Sequence, residues 1–333
     1  MEEGSNNITT VEILVKSSIT TRKGNNMEYE IEIKNLTKDY GQGRGVFDVS
    51  FKIAKGECFG FLGPNGAGKS TTIRHLMGFS IPDSGETFIR GNNSLKNREI
   101  IMQGVSYIPG EVALPLNLKG KEVIKEQMDL KGLTDTTLLN YLIKYFEYDP
   151  NLYCKEMSLG MKRKTAIICA FMSDPEIIIM DEPSSGLDPE MQERFIELVK
   201  EEKRRGKTIL LSSHIFAEVD ACCDKIAVIK DGKIVSNFVA NDLKHKSVKE
   251  YRPIYKDKRE KDLAKKKMEK LHFKISDCDN DSFFVFVDEK DTNKFIKEIS
   301  TIPFIDLEEK KETLEDYFMS FYKEDKTYGG IKK

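Results

Sequence analysis

The sequence predicts an α/β fold interrupted by a helical insertion, with a small α+β domain after it. Three observations carry that expectation. From Met27 to about Leu243, strand-like and helix-like segments alternate, as in layered α/β proteins. Between about Leu114 and Asp174 the pattern turns mostly helical, so a subdomain interrupts the layers. After Leu243, over residues 244–333, the composition shifts to a dense basic run and then to short strand and helix patterns of its own.

Residues 1–26 are rich in Ser, Thr, Asn and Gly around one short apolar run, Val11 to Val15, and are expected to form a weakly ordered extension. At Met27, itself a candidate start, the pattern changes: Tyr29, Ile31 and Ile33 alternate with polar residues as in a half-buried strand. Phe47 to Ile53 alternates again, Gly56 turns the chain, and Cys58 to Leu62 is an apolar run leading to a glycine-rich loop and a helix near Lys69. Leu138, Leu142 and Tyr145 mark a helical stripe in the insertion, and strand-like runs return at Ile177 to Met180, Thr208 to Ser212 and Lys225 to Ile229. Lys244 to Lys270, with Pro253 near its start, reads as a linker leading into a solvated helix. Strand candidates Phe273 to Ser276 and Phe283 to Val287 flank the turn-prone Asp277 to Asp281. A helix (Lys290 to Ser300) and a strand near Phe304 to Leu307 follow. Last comes an amphipathic helix with Leu314, Tyr317, Phe318, Phe321 and Tyr322 on one stripe.

Length and composition narrow the function classes. The 333 residues suffice for one large domain and a smaller one. Apolar residues at 39 % and charged residues at 32 % are a soluble globular composition. A net charge of -2 provides no global basic field, so nucleic acid is not an expected partner. Cys58, Cys154, Cys169, Cys222, Cys223 and Cys278 have no C-x-x-C spacing; reduced thiols of a cytosolic protein are expected rather than a zinc site or disulfides. No window reaches the roughly 18 to 20 apolar residues that span a bilayer, and no apolar stretch of signal-peptide length opens the chain.

Chemistry concentrates first in Gly63-Pro64-Asn65-Gly66-Ala67-Gly68-Lys69-Ser70, a full G-x-x-x-x-G-K-[ST] phosphate loop, with Thr71 next to it. Glycines let backbone N–H groups converge on phosphate oxygens, and the following helix offers its positive end to the anion. Lys69 places a point charge at the β- and γ-phosphates, and the Ser70 hydroxyl can ligate Mg²⁺. Chance matches in a chain this long arise on the order of 1 % of the time. The competing reading, a glycine turn with an incidental lysine, is disfavoured by the apolar strand before it and the helix after it. Downstream, Ile177-Ile178-Ile179-Met180-Asp181-Glu182 is an apolar strand ending in two carboxylates. Asp181 is placed to hold the metal, and Glu182 to position or deprotonate the attacking water.

With further motifs in order, residues Met27 to about Leu243 resemble an ATP-binding cassette. Met157-Ser158-Leu159-Gly160-Met161 resembles the family's signature loop, just upstream of Asp181-Glu182-Pro183. Ser185-Gly186-Leu187-Asp188 resembles the D-loop, Ser212-Ser213-His214 the switch histidine, and Tyr40 stands where the family stacks an aromatic on adenine. The resemblance implies a phosphate-loop NTPase cassette: a RecA-like α/β core with an antiparallel β subdomain and a helical insert. It implies ATP hydrolysis with Mg²⁺ in a head-to-tail dimer, a homodimer or a pair with a second cassette subunit. One protomer would supply Tyr40, the phosphate loop, Asp181, Glu182 and His214, and the other Ser158 and Gly160 to the γ-phosphate, with Asp188 coupling the two sites. It implies, finally, a separate polytopic transmembrane permease, which places the chain in the cytoplasm on the inner face of the membrane. Ordinary strand-end packing for Tyr40 and a satisfied histidine for His214 stay open beside these roles.

Two departures mark this chain. Where many cassettes carry a Gln after the strand ending Ser106-Tyr107-Ile108-Pro109, it has Gly110-Glu111, and Glu111 is the candidate replacement at the metal. The signature has Leu159 for its first glycine and Met161 for its Gln, and Ser-x-Gly-Met-Lys loops resemble drug and lantibiotic exporters. Lys162-Arg163-Lys164 reads as a solvated helix face, and the C-terminal domain as support for the dimer. The alternatives are a soluble cassette protein working on ribosomes or nucleic acid, and a regulatory ATP-binding protein with little turnover. The first usually needs two cassettes or long coiled coils, and the intact Glu182 and His214 speak against the second.

Overall fold

This computed structural model describes residues 29–240, 248–310 and 314–323; the expected N-terminal extension and the boundary at Leu243 lie outside them. At its centre, β3 (Cys58–Leu62), β6 (Val105–Ile108), β7 (Ile177–Asp181), β8 (Thr208–Ser213) and β9 (Lys225–Lys230) run parallel. Antiparallel β10 (Lys233–Val239) closes one edge, giving the order β10-β9-β3-β8-β7-β6. Every residue of β3, β7 and β8 is buried, which is why these segments run apolar without alternating: both faces of a parallel sheet are covered.

Side chains still divide between the faces with period two. Cys58, Leu62, Ile178, Met180, Ile209 and Leu211 enter one core, and Phe59, Phe61, Ile177, Ile179 and Leu210 the other. The second core is shared with an antiparallel sheet of order β2-β1-β4-β5, built from β1 (Tyr29–Asp39), β2 (Gly45–Ala54), β4 (Ser84–Ile89) and β5 (Asn92–Asn93). Phe51 of β2 stacks on Phe59 of β3 at 4.9 Å between ring centroids, and α1 (Lys69–Leu76) and α2 (Arg98–Gly104) add Ile73, Leu76 and Ile101.

On the first face lie the inserted helices α3 (Gly120–Lys131), α4 (Thr137–Tyr145) and α5 (Leu159–Phe171), with α6 (Pro189–Arg204) and α7 (Phe216–Cys222). Leu142, Phe146, Ile167, Ile168 and Phe195 are fully enclosed there. Local chemistry sets the helix ends. The Glu122 carboxylate accepts the Lys119 N–H at 2.7 Å to start α3, and Gly132, at φ 65°, ends it in the left-handed conformation a glycine tolerates.

The C-terminal part follows the order β11 (Val248–Ile254), α8 (Lys258–Lys270), β12 (Lys274–Asp277), β13 (Phe283–Asp288), α9 (Thr292–Ile299), β14 (Asp306–Lys310). Its strands form an antiparallel sheet ordered β12-β13-β11-β14, the split βαβ arrangement of ferredoxin-like domains. Tyr251, Phe283, Val285 and Phe295 centre a core of its own. Strand β11 lies where the basic composition reads as a linker. Its ladder with β13 runs through Tyr251, and Pro253, which has no N–H to donate, sits beyond that ladder opposite Leu307 of β14. The last strand also starts later than the Phe304 to Leu307 pattern suggests and ends as a charged edge, Glu308-Glu309-Lys310. Finally α10 (Leu314–Lys323) returns to the cassette: Leu314 and Phe318 join the first core, Phe318 meets Phe216 of α7 at 5.0 Å, and Tyr317 meets Phe238 of β10 at 4.9 Å. The expected stripe residues Phe321 and Tyr322 have side chains outside the described set.

Phe195 is 0 % exposed in the core that carries α6. Phe195→Ala is expected to cost about 3–5 kcal/mol through lost burial and a residual cavity, read as a lower denaturant midpoint.

Candidate nucleotide-binding site

The phosphate loop spans the end of β3 and the start of α1. Gly68 caps α1 at φ 110°, a conformation that a side chain would strain, and the crest Pro64-Asn65-Gly66 is exposed. No acidic residue occupies the first turn of α1, so its positive end is left for an anion. Ser70 and Thr71 are half-buried on that turn, and Ala67 is buried behind the loop. Lys69 is 5 % exposed, and its Nζ donates to the carbonyl oxygens of Gly63 (2.5 Å) and Pro64 (3.1 Å).

Asp181 ends β7 at 2 % exposure, its Oδ1 accepting from the Ser212 hydroxyl of β8 at 2.9 Å. Gly110 packs against the same carboxylate: a Cβ there would stand 2.9 Å from Asp181 Oδ2. The next residue, Glu182, has φ 49°, a left-handed conformation that costs a non-glycine residue about 1–3 kcal/mol. That turn, held by the Glu182 N–H on Ser212 O at 2.9 Å, swings the carboxylate across the loop. Its Oε1 lies 3.0 Å from Lys69 Nζ, and its Oε2 lies 2.6 Å from His214 Nδ1 and accepts the His214 N–H at 3.4 Å. Lys69, Glu182 and His214 therefore form one line across the mouth of the phosphate loop, with Asp181 beneath it.

Other expected residues stand apart. Tyr40 directly follows β1 and is 53 % exposed; the Lys38 ammonium lies 5.9 Å from its ring centroid, and its N–H donates to Arg44 O at 2.8 Å. Ser158 caps α5, accepting the Met161 N–H at 3.2 Å, and Asp188 caps α6, accepting the Met191 N–H at 3.0 Å. Both are exposed, and Gly160 is half-buried. Among the described residues no hydrogen bond or ion pair joins Ser158, Gly160 or Asp188 to the Lys69–Glu182–His214 line. Glu111 is exposed in the loop after β6, one residue beyond Gly110.

Two residues escaped the sequence reading. Arg163, expected on a solvated face, is 1 % exposed and donates only to backbone carbonyls: Pro109 and Gly110, both at 2.6 Å, and Ser185 at 3.2 Å. Burial lowers its pKa, opposed by the charges of Asp181 and Glu182. Its signal was present, since Arg163 shares a helical stripe with the buried Ile167, Ala170 and Phe171. Glu218 of α7 is 2 % exposed and accepts from the Ser213 hydroxyl at 2.8 Å, while Ser213 Oγ also accepts the Ile215 N–H at 2.9 Å. Nothing in the local sequence distinguishes this glutamate from a surface one.

A phosphate loop, a buried aspartate and a lysine–glutamate–histidine line at the carboxyl edge of a parallel sheet define a phosphate-loop ATPase site. Residues 46–185 match the family described as ABC transporter. The chain is 31 % identical to Nod factor export ATP-binding protein I of Rhizobium etli over 64 % of its own length and 69 % of that protein. It is 35 % identical to the linearmycin resistance ATP-binding protein of Bacillus subtilis, over 64 % of this chain and 70 % of that one. The bacitracin transport ATP-binding protein of Bacillus licheniformis is 33 % identical over 66 % and 72 % of the two chains. A solved ATP-binding subunit of an ABC transporter is 32 % identical with a TM-score of 0.59, covering 64 % of this chain and 91 % of that one. An ATP-binding cassette solved with ADP and Pi shares the fold at 23 % identity and a TM-score of 0.57, over 63 % and 98 % of the two chains. The chain belongs to the ABC transporter family as an ATP-binding, ATP-hydrolysing cassette subunit.

Burial raises the pKa of Glu218 above its ordinary 4.5, opposed by its Ser184 and Ser213 partners. The native state therefore holds that proton more tightly than the unfolded chain does. Its contribution is full below pH 4.5 and lost as pH rises through the raised native pKa. Glu218→Gln is expected to flatten this part of the stability–pH curve, measured by urea melts across pH 4 to 8.

Proposed function

We propose that two cassettes, two copies of this chain or one copy with a second cassette subunit, close head to tail around two ATP molecules and drive a separate transmembrane permease in the export direction. The observation that carries the catalytic part is the Lys69–Glu182–His214 line over the phosphate loop. Phosphoryl transfer asks a protein mainly for positioning and charge, and each residue on the line can supply one of these. Lys69 and the loop N–H groups bind the β- and γ-phosphates. Glu182 orients and polarises the attacking water, with its carboxylate steered by His214. The His214 ring, 44 % exposed on its solvent side, can reach the γ-phosphate.

The Ser70 hydroxyl and the Asp181 carboxylate are hard oxygen donors that suit Mg²⁺, and Asp181 is fixed in place by Ser212 and Gly110. That ion, when bound, supplies neutralisation of phosphate charge. Glu111 is the further carboxylate available from the loop after β6. Tyr40 stacks on the adenine, and the second copy's Ser158 and Gly160, at the N-terminus of α5, close on the γ-phosphate while Asp188 spans the interface.

Export is supported by the names of the relatives, which are export, resistance and transport ATP-binding proteins. Among the described residues no helix is long and apolar enough to cross a membrane, so the pathway belongs to another chain in this reading. Exposed apolar side chains suit its docking: Phe79 is 48 % exposed and meets Tyr107 of edge strand β6 at 5.8 Å, and Leu116 is 59 % exposed beyond Glu111. That arrangement keeps the subunit at the inner face of the membrane.

Lys69→Ala is expected to abolish binding of a fluorescent ATP analogue while leaving the fold intact by circular dichroism. Glu182→Gln is expected to lower kcat by at least about 100-fold and to yield an ATP-dependent dimer by size-exclusion chromatography. Wild-type turnover in Glu182→Gln would remove the glutamate from this role. Extraction from the native cell in mild detergent should bring down a polytopic membrane protein in stoichiometric amount; a soluble ribosome or nucleic-acid complex in its place would refute the transport reading.

A further inference from the structure

Arg163 holds a charge out of water and makes no direct ion pair among the described residues, although the charges of Asp181 and Glu182 act on it from a distance. Its three acceptors are neutral carbonyls, at Pro109, Gly110 and Ser185. Filling that volume with an apolar side chain would avoid the desolvation of a guanidinium, so the explanation lies in what the carbonyls belong to. Two of them sit in the loop after β6, where Gly110 lies against Asp181. The third sits between Glu182 and Asp188, and the Ser185 N–H donates to Glu182 O at 3.2 Å. Arg163 itself is one turn into α5, whose first residues follow Ser158. That same end of α5 touches the Ser185–Asp188 loop: a Cβ on Gly160 would stand 2.7 Å from Gly186 O.

The planar guanidinium therefore ties three segments into one body, and its fork geometry matches this task. Two of the three, the loop beside Asp181 and the loop after Glu182, shape the ATP site of the same chain. The third, the Ser158–Gly160 end of α5, serves the other ATP in the head-to-tail pair proposed above. We infer that Arg163 is a positioning residue that couples the two ATP sites, transmitting a shift of α5 at one nucleotide to Asp181 and Glu182 at the other. The inference rests on the dimer reading, and its test separates the two.

Arg163→Lys and Arg163→Gln are made in the full chain and compared with wild type for three properties: affinity for a fluorescent ATP analogue, thermal midpoint, and steady-state ATPase with its Hill coefficient. Analogue affinity is expected to stay within about twofold, because Arg163 touches no phosphate-loop atom, while kcat falls about 10- to 100-fold through misplacement of the reacting groups. The wild-type Hill coefficient is expected above one and should drop towards one in the variants, since residues along a coupling route change cooperativity without contacting ligand; a wild-type coefficient of one overturns the inference. Lysine, which keeps the charge but not the fork, is expected to fall between glutamine and wild type. A purely structural role predicts lower thermal midpoints with wild-type kcat and Hill coefficient in the folded protein, and that result overturns the inference. If Arg163→Gln does not fold, Arg163→Lys carries the comparison. The Glu182→Gln protein is the control: no ATP-dependent dimer there removes the dimer reading and the inference together. A dimer there, with wild-type cooperativity in the Arg163 variants, removes the inference alone.

Discussion

Parallel pairing of β3, β8 and β7 is the constraint on which the rest depends. Leu62 pairs with Ser213 and Asp181 with Ser212, so the three strands end level with one another. The chain leaving β3 becomes the phosphate loop, the chain leaving β7 presents Glu182, and the chain leaving β8 presents His214. Three segments far apart in sequence are thus delivered to one crevice at the carboxyl edge, without long loops. A slip of one residue between β7 and β8 would turn Asp181 and Ser212 to opposite faces, and one between β3 and β8 would shift the phosphate loop against the His214 turn.

Charge is handled economically at that edge. Lys69 and Glu182 are both largely withdrawn from water, at 5 % and 15 % exposure, and each is the other's counter-ion at 3.0 Å. Opposite charges interact strongly where solvent is scarce, and removing one leaves the other uncompensated. Glu218 stands behind Ser213 as a third acid near Asp181 and Glu182, and burial raises its pKa. Through Ser213, whose hydroxyl also accepts the Ile215 N–H, it gives the crevice a polar anchor for the His214 turn.

How much of this was legible in the sequence follows from how local the physics is. The phosphate loop and the Asp181-Glu182 pair are contiguous, because backbone N–H groups and strand-end carboxylates act from consecutive positions, and they could be read directly. The parallel sheet was legible in its continuous apolar runs. Arg163 was read as solvated because two lysines flank it, and its acceptors come from residues 53 and 54 positions upstream and 22 downstream. Strand β11 was hidden by basic composition and by Pro253, whose tolerance depends on where the β13 ladder stops. The split βαβ topology needed the strand order, which pairs β11 with both β13 and β14 and leaves no trace in local periodicity.

The helix α10 changes what kind of object the ferredoxin-like domain is. The chain leaves the cassette at Ala240 and returns at Leu314, and both residues are buried in the same core. Although it follows every cassette strand in sequence, the domain is an insertion in topology, moored at both ends to a single cluster. An evolving cassette could exchange such a module for another of different size, because the cost of closing a longer excursion grows only with the logarithm of its length. Stopping the chain before α10, by contrast, would uncover Phe216, two residues from His214, and so reach the catalytic edge from the far end of the polypeptide.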